Sequence, residues 1–287
     1  MAHLFILAAT LLWSTSGVAI KLCNMAPWQI AGGRSLIAAL TLWLLLPSAR
    51  RLPRRKSLLV MVSYPATVLA FSIATKLTTA ANAIFLQYTG PIYVLLLSPF
   101  FLGERARRSE LLVLPFFLAG LMLFFVGDLS AGQSTGNLLA LVSGFAYALL
   151  ILGLRKAPED GPAAMMWGNL LAAAVAAPMA FSPLSSSITY SGTDWGLLLF
   201  LGVFQLGTAY ALFVRGVREV SALEASLLGY LEPVLNPIWV LLFAGETPGR
   251  WATLGGAIIL AAAVSITVAP YFRGRTKTLL PPPPVGT

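Results

Sequence analysis

Residues 80–112 read AANAIFLQYTGPIYVLLLSPFFLGERARRSELL, and residues 222–254 read ALEASLLGYLEPVLNPIWVLLFAGETPGRWATL. Laid over one another without a gap, at a spacing of 142 positions (80 to 222), they match Ala80, Ala83, Leu86, Tyr88 and Pro91 with Ala222, Ala225, Leu228, Tyr230 and Pro233. Phe101, Gly103, Glu104, Arg108 and Leu112 meet Phe243, Gly245, Glu246, Arg250 and Leu254, and further upstream Phe71 meets Phe213. Such a duplication inside a very apolar chain points to a transporter built from two related halves.

Composition fixes the solvent. With 58% hydrophobic residues, 10% charged ones and a mean hydropathy of +0.83, the chain is not a water-soluble domain. Hydrocarbon about 30 Å thick needs roughly 20 apolar residues per helix. The sequence predicts ten spans: 4–22, 28–46, 58–75, 79–101, 110–126, 136–154, 163–181, 195–214, 221–243 and 251–269. The runs are continuously apolar rather than alternating, which excludes a transmembrane β-barrel. Met1-Ala2-His3 carries no Lys or Arg and no small-residue cleavage site follows, so the first span is expected to be a helix of the protein and not a signal peptide. Cys23 is the single cysteine, so no disulfide forms within the chain.

Basic residues in short loops are retained on the cytoplasmic side during insertion. With the N-terminus inside, Arg50, Arg51, Arg54, Arg55, Lys56, Arg105, Arg107, Arg108, Arg155, Lys156, Arg215, Arg218, Arg273, Arg275 and Lys277 all fall on that side. Of the 19 basic residues only Lys21, Lys76 and Arg250 go to the other face, and Arg34 lies within a span. Both termini are therefore expected in the cytoplasm. The formal charge of +9 is spread over membrane-flanking loops, which topology explains, so no nucleic-acid partner is expected.

Five spans per half is an odd number, so the second half enters the membrane from the opposite side. The expected fold is an all-α integral membrane protein of ten transmembrane helices: a first repeat over 1–127, an inverted second repeat over 136–269, and a cytoplasmic Pro-rich tail over 270–287. The repeat persists more weakly toward each half's start, where Pro27 and Arg34 align with Pro162 and Asn169. Inverted halves open a central site alternately to each side of the membrane. One chain supplies that machinery, so a functional monomer is expected, with dimerisation left open.

Pro91 through Gly103-Glu104, Pro233 through Gly245-Glu246, Gly255 nine residues after the second Glu, Trp13-Ser14 and Arg34 together resemble the drug/metabolite transporter superfamily, and within it the ten-helix EamA group. Val113 departs from the Gly expected nine residues after Glu104, and Asn169 stands where the second half would have carried Arg. Within the group the chain looks most like the YddG-type exporters of aromatic amino acids. The resemblance implies export of amino acids and related metabolites from a bacterial cytoplasm, through a cavity lined by helices 1–4 and 6–9. Broad drug or toxic-compound efflux is the alternative.

A charge at mid-bilayer costs about 3 kcal/mol on insertion scales, so polar residues within spans are the first site candidates. Span nine holds Glu224 and Glu232, eight residues apart and so about 80° apart around a helix. Span four holds Asn82 and Gln87, and the repeat sets Asn82 opposite Glu224. Glu224 is the leading carboxylate for a proton or a substrate ammonium. The competing reading has it reach water near a helix start, favoured by the dipole. Glu232 is either a site residue or a partner for backbone donors freed at Pro233. Trp13, beside Ser14 and Ser16, offers a ring to an aromatic or cationic ligand, or packs between helices. Tyr88 and Tyr230 stack on a ligand or bridge a bend, and Phe85, Trp167 and Tyr210 complete the candidate lining.

Arg34, within Gly32-Gly33-Arg34-Ser35, either binds a substrate carboxylate or makes a structural bond. Pro91 and Pro233 remove a hydrogen bond in mid-span and are candidate hinges. Glu104 and Glu246, at span ends, are candidate gates. Trp28, Trp195, Trp251, Trp43 and Trp167 lie near span ends, where membrane interfaces hold tryptophan. His3 is terminal, Cys23 has no base nearby in sequence, no His/Asp/Glu group has metal-ligand spacing, and no phosphate-binding Gly-rich Lys loop occurs. No enzyme activity, cofactor or metal is expected.

Overall fold

The computed structural model describes residues 2–103, 115–116, 118–120, 122–123, 133–181, 190–216, 228–229 and 231–272. All regular structure among them is helical. Helix α1 (Ala2–Ser14) passes into α2 (Ser16–Leu22) across a break at Thr15, and α3 spans Pro27–Leu45. Short 3₁₀ turns at Pro47–Arg50 and Arg55–Ser57 lead to α4 (Leu58–Leu77), followed by α5 (Ala80–Gln87) and α6 (Gly90–Phe101). After α7 (Ser134–Lys156) come α8 (Gly161–Ala180) and α9 (Gly192–Phe200). A π-helical stretch, Leu201–Thr208, joins α9 to α10 (Ala209–Gly216), and α11 (Leu231–Ala244) and α12 (Arg250–Phe272) close the order.

Among the described residues, five helical stretches are long and apolar enough to cross a membrane: His3–Leu22, Arg55–Leu77, Ser134–Lys156, Gly161–Ala180 and Gly192–Gly216. Leu231–Ala244 is a shorter apolar helix, while α3 has 19 residues and α12 has 23. The expected span 79–101 is not one helix but two, α5 and α6, separated at Tyr88 and Thr89. Pro91 stands in the first turn of α6, where its missing N–H costs no helical bond, so it starts a helix rather than bending one. Most of the expected span 110–126 lies outside the described residues, as does the tail after Phe272.

Local sequence sets several of these ends. Pro27 opens α3, Thr79 accepts from the Asn82 amide at the start of α5, and Ser191 and Asp194 cap α9 reciprocally. Gly103, after α6, and Gly245, after α11, have φ of 71° and 66°, the only positive values among the described residues. The repeat pairs these two glycines, and only glycine adopts that backbone without strain.

Small residues let the helices approach. The most extensive pairings are α4 with α7, α3 with α8, α8 with α4, α3 with the π stretch, and α1 with α10. A Cβ on Gly32 would lie 2.8 Å from that of Ala176 across the α3–α8 seam. One on Gly202, in the π stretch, would lie 2.4 Å from the Ile37 Cβ. The Gly202→Val protein is expected to lose about 1–3 kcal/mol through overpacking. Gly196→Ala, where nothing stands within 4 Å, serves as the control. Thermal unfolding of the two in detergent checks this: equal midpoints would contradict the tight α3 contact.

Candidate functional site

Three irregularities in the backbone converge on one place. The first is the break at Thr15, where Ser14 donates to the Leu11 carbonyl at 2.8 Å and Thr15 to Leu12 at 2.7 Å. At the second, Thr89 donates to the Leu86 carbonyl at 2.7 Å between α5 and α6. These hydroxyls occupy carbonyls that an unbroken helix would have paired, which is how an interrupted helix is tolerated in hydrocarbon. The third is the π stretch; π turns are frequent at functional sites. Trp13 and Ser16 flank the first break, Gln87 and Tyr88 the second, and Gln205 and Leu206 belong to the third, and all six line one cavity of about 70 Å³.

Arg34 of α3, Thr67, Val68 and Phe71 of α4, Tyr147 of α7, Tyr210 of α10 and Glu232 of α11 complete the wall. The cavity therefore draws on both halves of the sequence. Trp13 sits edge-on to Tyr210 at 5.1 Å and tilted against Phe213 at 5.1 Å, while Tyr210 continues to Tyr64 at 5.7 Å. Tyr64 is fixed from outside this wall, accepting from Asn169 Nδ2 at 2.9 Å.

Arg34 is 2% exposed. It donates to the Val68 carbonyl at 3.2 Å and to Gln205 Oε1 at 3.4 Å, and its Nε has no acceptor. The Trp13 Nε1 likewise lacks one. Glu232, in the first turn of α11, has its Oε2 3.0 Å from the Tyr88 hydroxyl, which also lies 3.1 Å from the Gly229 carbonyl. The salt bridges among the described residues are Lys21–Glu246 and Arg54–Glu159, so Arg34 and Glu232 face the same cavity without pairing.

Of the residues singled out from sequence, Trp13, Tyr88 and Tyr210 come together at the cavity, joined by Arg34, Gln87 and Glu232. The others described lie elsewhere. Ser14 accepts from Trp239 Nε1 at 3.0 Å in the seam with α11. Asn82 belongs to a buried cluster, donating to Thr78 Oγ1 at 3.2 Å and to Asn137 Oδ1 at 3.3 Å. Phe85 fills the space above Gly256 of α12, whose Cβ would fall 2.5 Å from its ring. Trp167 donates to the Arg51 carbonyl at 3.1 Å, at the basic end of the bundle. Pro233 is buried in α11. Glu104, Glu224 and Tyr230 lie outside the described residues.

Gln205 and Tyr147 were not singled out. Each is a polar side chain near the middle of an apolar run, a signal as plain as that of Gln87, but neither falls in the repeated segment that directed the search.

Glu246 ties an end of the bundle together. It accepts from the Ala80 amide at 2.8 Å and pairs with Lys21 at 3.0 Å, and Lys21 also donates to the Thr78 carbonyl at 2.7 Å. Lys76 donates to the Cys23 carbonyl beside it. Residues from α2, α4, α5 and the segment after α11 are thus fastened at one point.

An all-helical, multi-pass membrane protein is the class these elements define. Comparison with known proteins carries the class to a family: the model of the EamA-like transporter family matches residues 1–126 and again 134–268. The chain belongs to that family, and hence to the drug/metabolite transporter superfamily. It is 30% identical to the threonine/homoserine exporter RhtA of Escherichia coli K12 over 213 residues, 73% of this chain and 70% of that one. It is 29% identical to the pseudopaline exporter CntI of Pseudomonas aeruginosa UCBPP-PA14 over 65% of this chain and 66% of that one. An uncharacterized transporter of Archaeoglobus fulgidus is 30% identical over 69% and 71% respectively. A solved crystal structure, 21% identical, superposes with a TM-score of 0.65 over 95% of this chain and 99% of the other, the same fold.

Cys23 offers a local readout of the fastened end. It is fully buried outside the spans, and burial raises its thiol pKa above the ordinary value. A raised pKa leaves less thiolate at neutral pH, so maleimide labelling is expected to be slow there and to accelerate only above the usual thiol range. Glu246→Gln, which releases Lys21, is expected to speed labelling at fixed pH. Fast labelling of the wild type at neutral pH contradicts the burial, and an unchanged rate in the variant contradicts the fastening.

Proposed function

We propose that the chain is a secondary carrier that exports amino acids and related small metabolites across the bacterial inner membrane. Ten helices in two inverted repeats, 1–127 and 136–269, with both termini in the cytoplasm, would expose the cavity alternately to each side. The observation that carries this reading is the cavity itself: a polar, aromatic-walled space at three helix irregularities, built from both halves of the sequence. Membrane carriers place their substrates at such interruptions, because only there does irregular backbone meet water or a polar solute. The names of RhtA and CntI, both exporters, support the direction of transport.

Two features bear on the cargo. The rings of Trp13, Phe71, Tyr88, Tyr147 and Tyr210 favour an aromatic amino acid. The volume of about 70 Å³, well below the roughly 300–1,000 Å³ of sites for drug-sized ligands, means that the cavity must widen to take its cargo. In the same reading the α5–α6 junction, after which Pro91 starts α6, and Pro233 act as hinges, and Glu246, through Lys21 and Ala80, acts as a gate. A monomer is the working unit.

The test is counterflow in proteoliposomes with tryptophan, phenylalanine, threonine, homoserine and a cationic dye, each with and without an imposed proton gradient. Saturable exchange of at least one amino acid, lowered on the order of tenfold by Trp13→Ala, is the expected outcome. Dye exchange alone would replace the reading with drug efflux, product formation without transport with an enzyme, and neither with a scaffold.

A further inference from the structure

The cavity wall holds one basic and one acidic side chain that do not pair with each other. Arg34 is buried on α3, its guanidinium held by one carbonyl and one amide oxygen, with no carboxylate partner among the described residues and its Nε unpaired. The Trp13 Nε1 is a second donor without an acceptor on the same wall. On α11, Glu232 has the Tyr88 hydroxyl as its hydrogen-bond partner among the described residues. A buried cation lacking an anion is costly in a membrane protein, and so is the reverse. Two such groups facing one space, with spare donors beside the cation, form a site that is incomplete until a solute brings the complementary charges.

We propose that Arg34 and Glu232 are the two poles of a zwitterion site. Arg34, with Trp13, receives a carboxylate, and Glu232 receives an ammonium, so that the cargo is recognised by its free α-carboxyl and α-amino groups together. This rests on the reading of the chain as an amino-acid carrier and adds to it the orientation of the cargo and the two residues that enforce it. A guanidinium fits a carboxylate as a planar fork, and bonds to charged groups are stronger than neutral ones. A zwitterion satisfies both poles while adding no net charge to the cavity. An amine would leave Arg34 unanswered, and an N-acylated amino acid would leave Glu232 unanswered.

The experiment is counterflow in proteoliposomes with threonine and with phenylalanine, each beside its decarboxylated amine and its N-acetyl derivative, in the wild type, Arg34→Gln and Glu232→Gln. The wild type is expected to carry the intact amino acid and discriminate against both analogues. Arg34→Gln is expected to lower transport of the intact amino acid on the order of tenfold or more and to erase the preference over the amine, leaving the preference over the N-acetyl form. Glu232→Gln is expected to do the mirror image.

That crossed change in preference separates recognition from a structural role, which lowers all rates alike. Variants that change rate without changing preference, or a wild type that carries all three forms equally, overturn the zwitterion site and leave the amino-acid carrier standing. A wild type that carries neither amino acid overturns the carrier reading and the zwitterion site with it. Should a variant fail to elute as a monodisperse peak in gel filtration, discrimination by the wild type between the two analogues and the parent decides alone.

Discussion

Hydrocarbon offers no partner to a backbone N–H or C=O, and the architecture follows from that. Where a helix runs unbroken its groups pair internally, and it can face lipid. Where it is interrupted, something must answer the freed groups. At Thr15 and Thr89 the answer is a side-chain hydroxyl turned back on its own chain. Because the interrupted turns are turned inward, where Trp13, Ser16, Gln87 and Tyr88 also stand, the fold gathers its exceptions in one place. The cavity is where regular secondary structure stops being sufficient.

Packing around that place depends on the near absence of side chains. Gly32 admits Ala176, Gly202 admits Ile37, and the two contacts bracket Arg34 on α3. The close approach brings the π stretch within reach of the guanidinium, so that Gln205 meets Arg34 at 3.4 Å. Small residues here thus have a consequence two steps removed from themselves: they bring a polar amide to a charge. The charge in turn is kept in register by the Val68 carbonyl, a contact made possible because α4 lies between α3 and α7.

The helical, membrane-embedded character was plain in composition, and the duplication led to the right family, because both signals are summed over many residues. Single interruptions were harder to read. Nothing in Trp13-Ser14-Thr15-Ser16 marks a break except its hydroxyls, which are equally at home inside a helix, and Pro91 suggested a bend where a new helix begins. The site was legible in part for the same reason. Trp13, Tyr88 and Tyr210 are conspicuous by type, whereas Asn82 was singled out by its depth and its alignment with Glu224, neither of which says which side of a helix faces the middle. Gln205 reaches the cavity by a register shift within the π stretch, which hydropathy does not encode.

The opposite signs of Arg34 and Glu232 bear on what drives transport. An ion crossing the bilayer exchanges about 2.3 kcal/mol with the membrane per elementary charge per 100 mV. A cation leaving the cell would have to climb that potential, and an anion would be pushed out by it. A cargo whose own charges cancel is indifferent to it. On the zwitterion reading the voltage neither assists nor opposes the movement of the cargo itself.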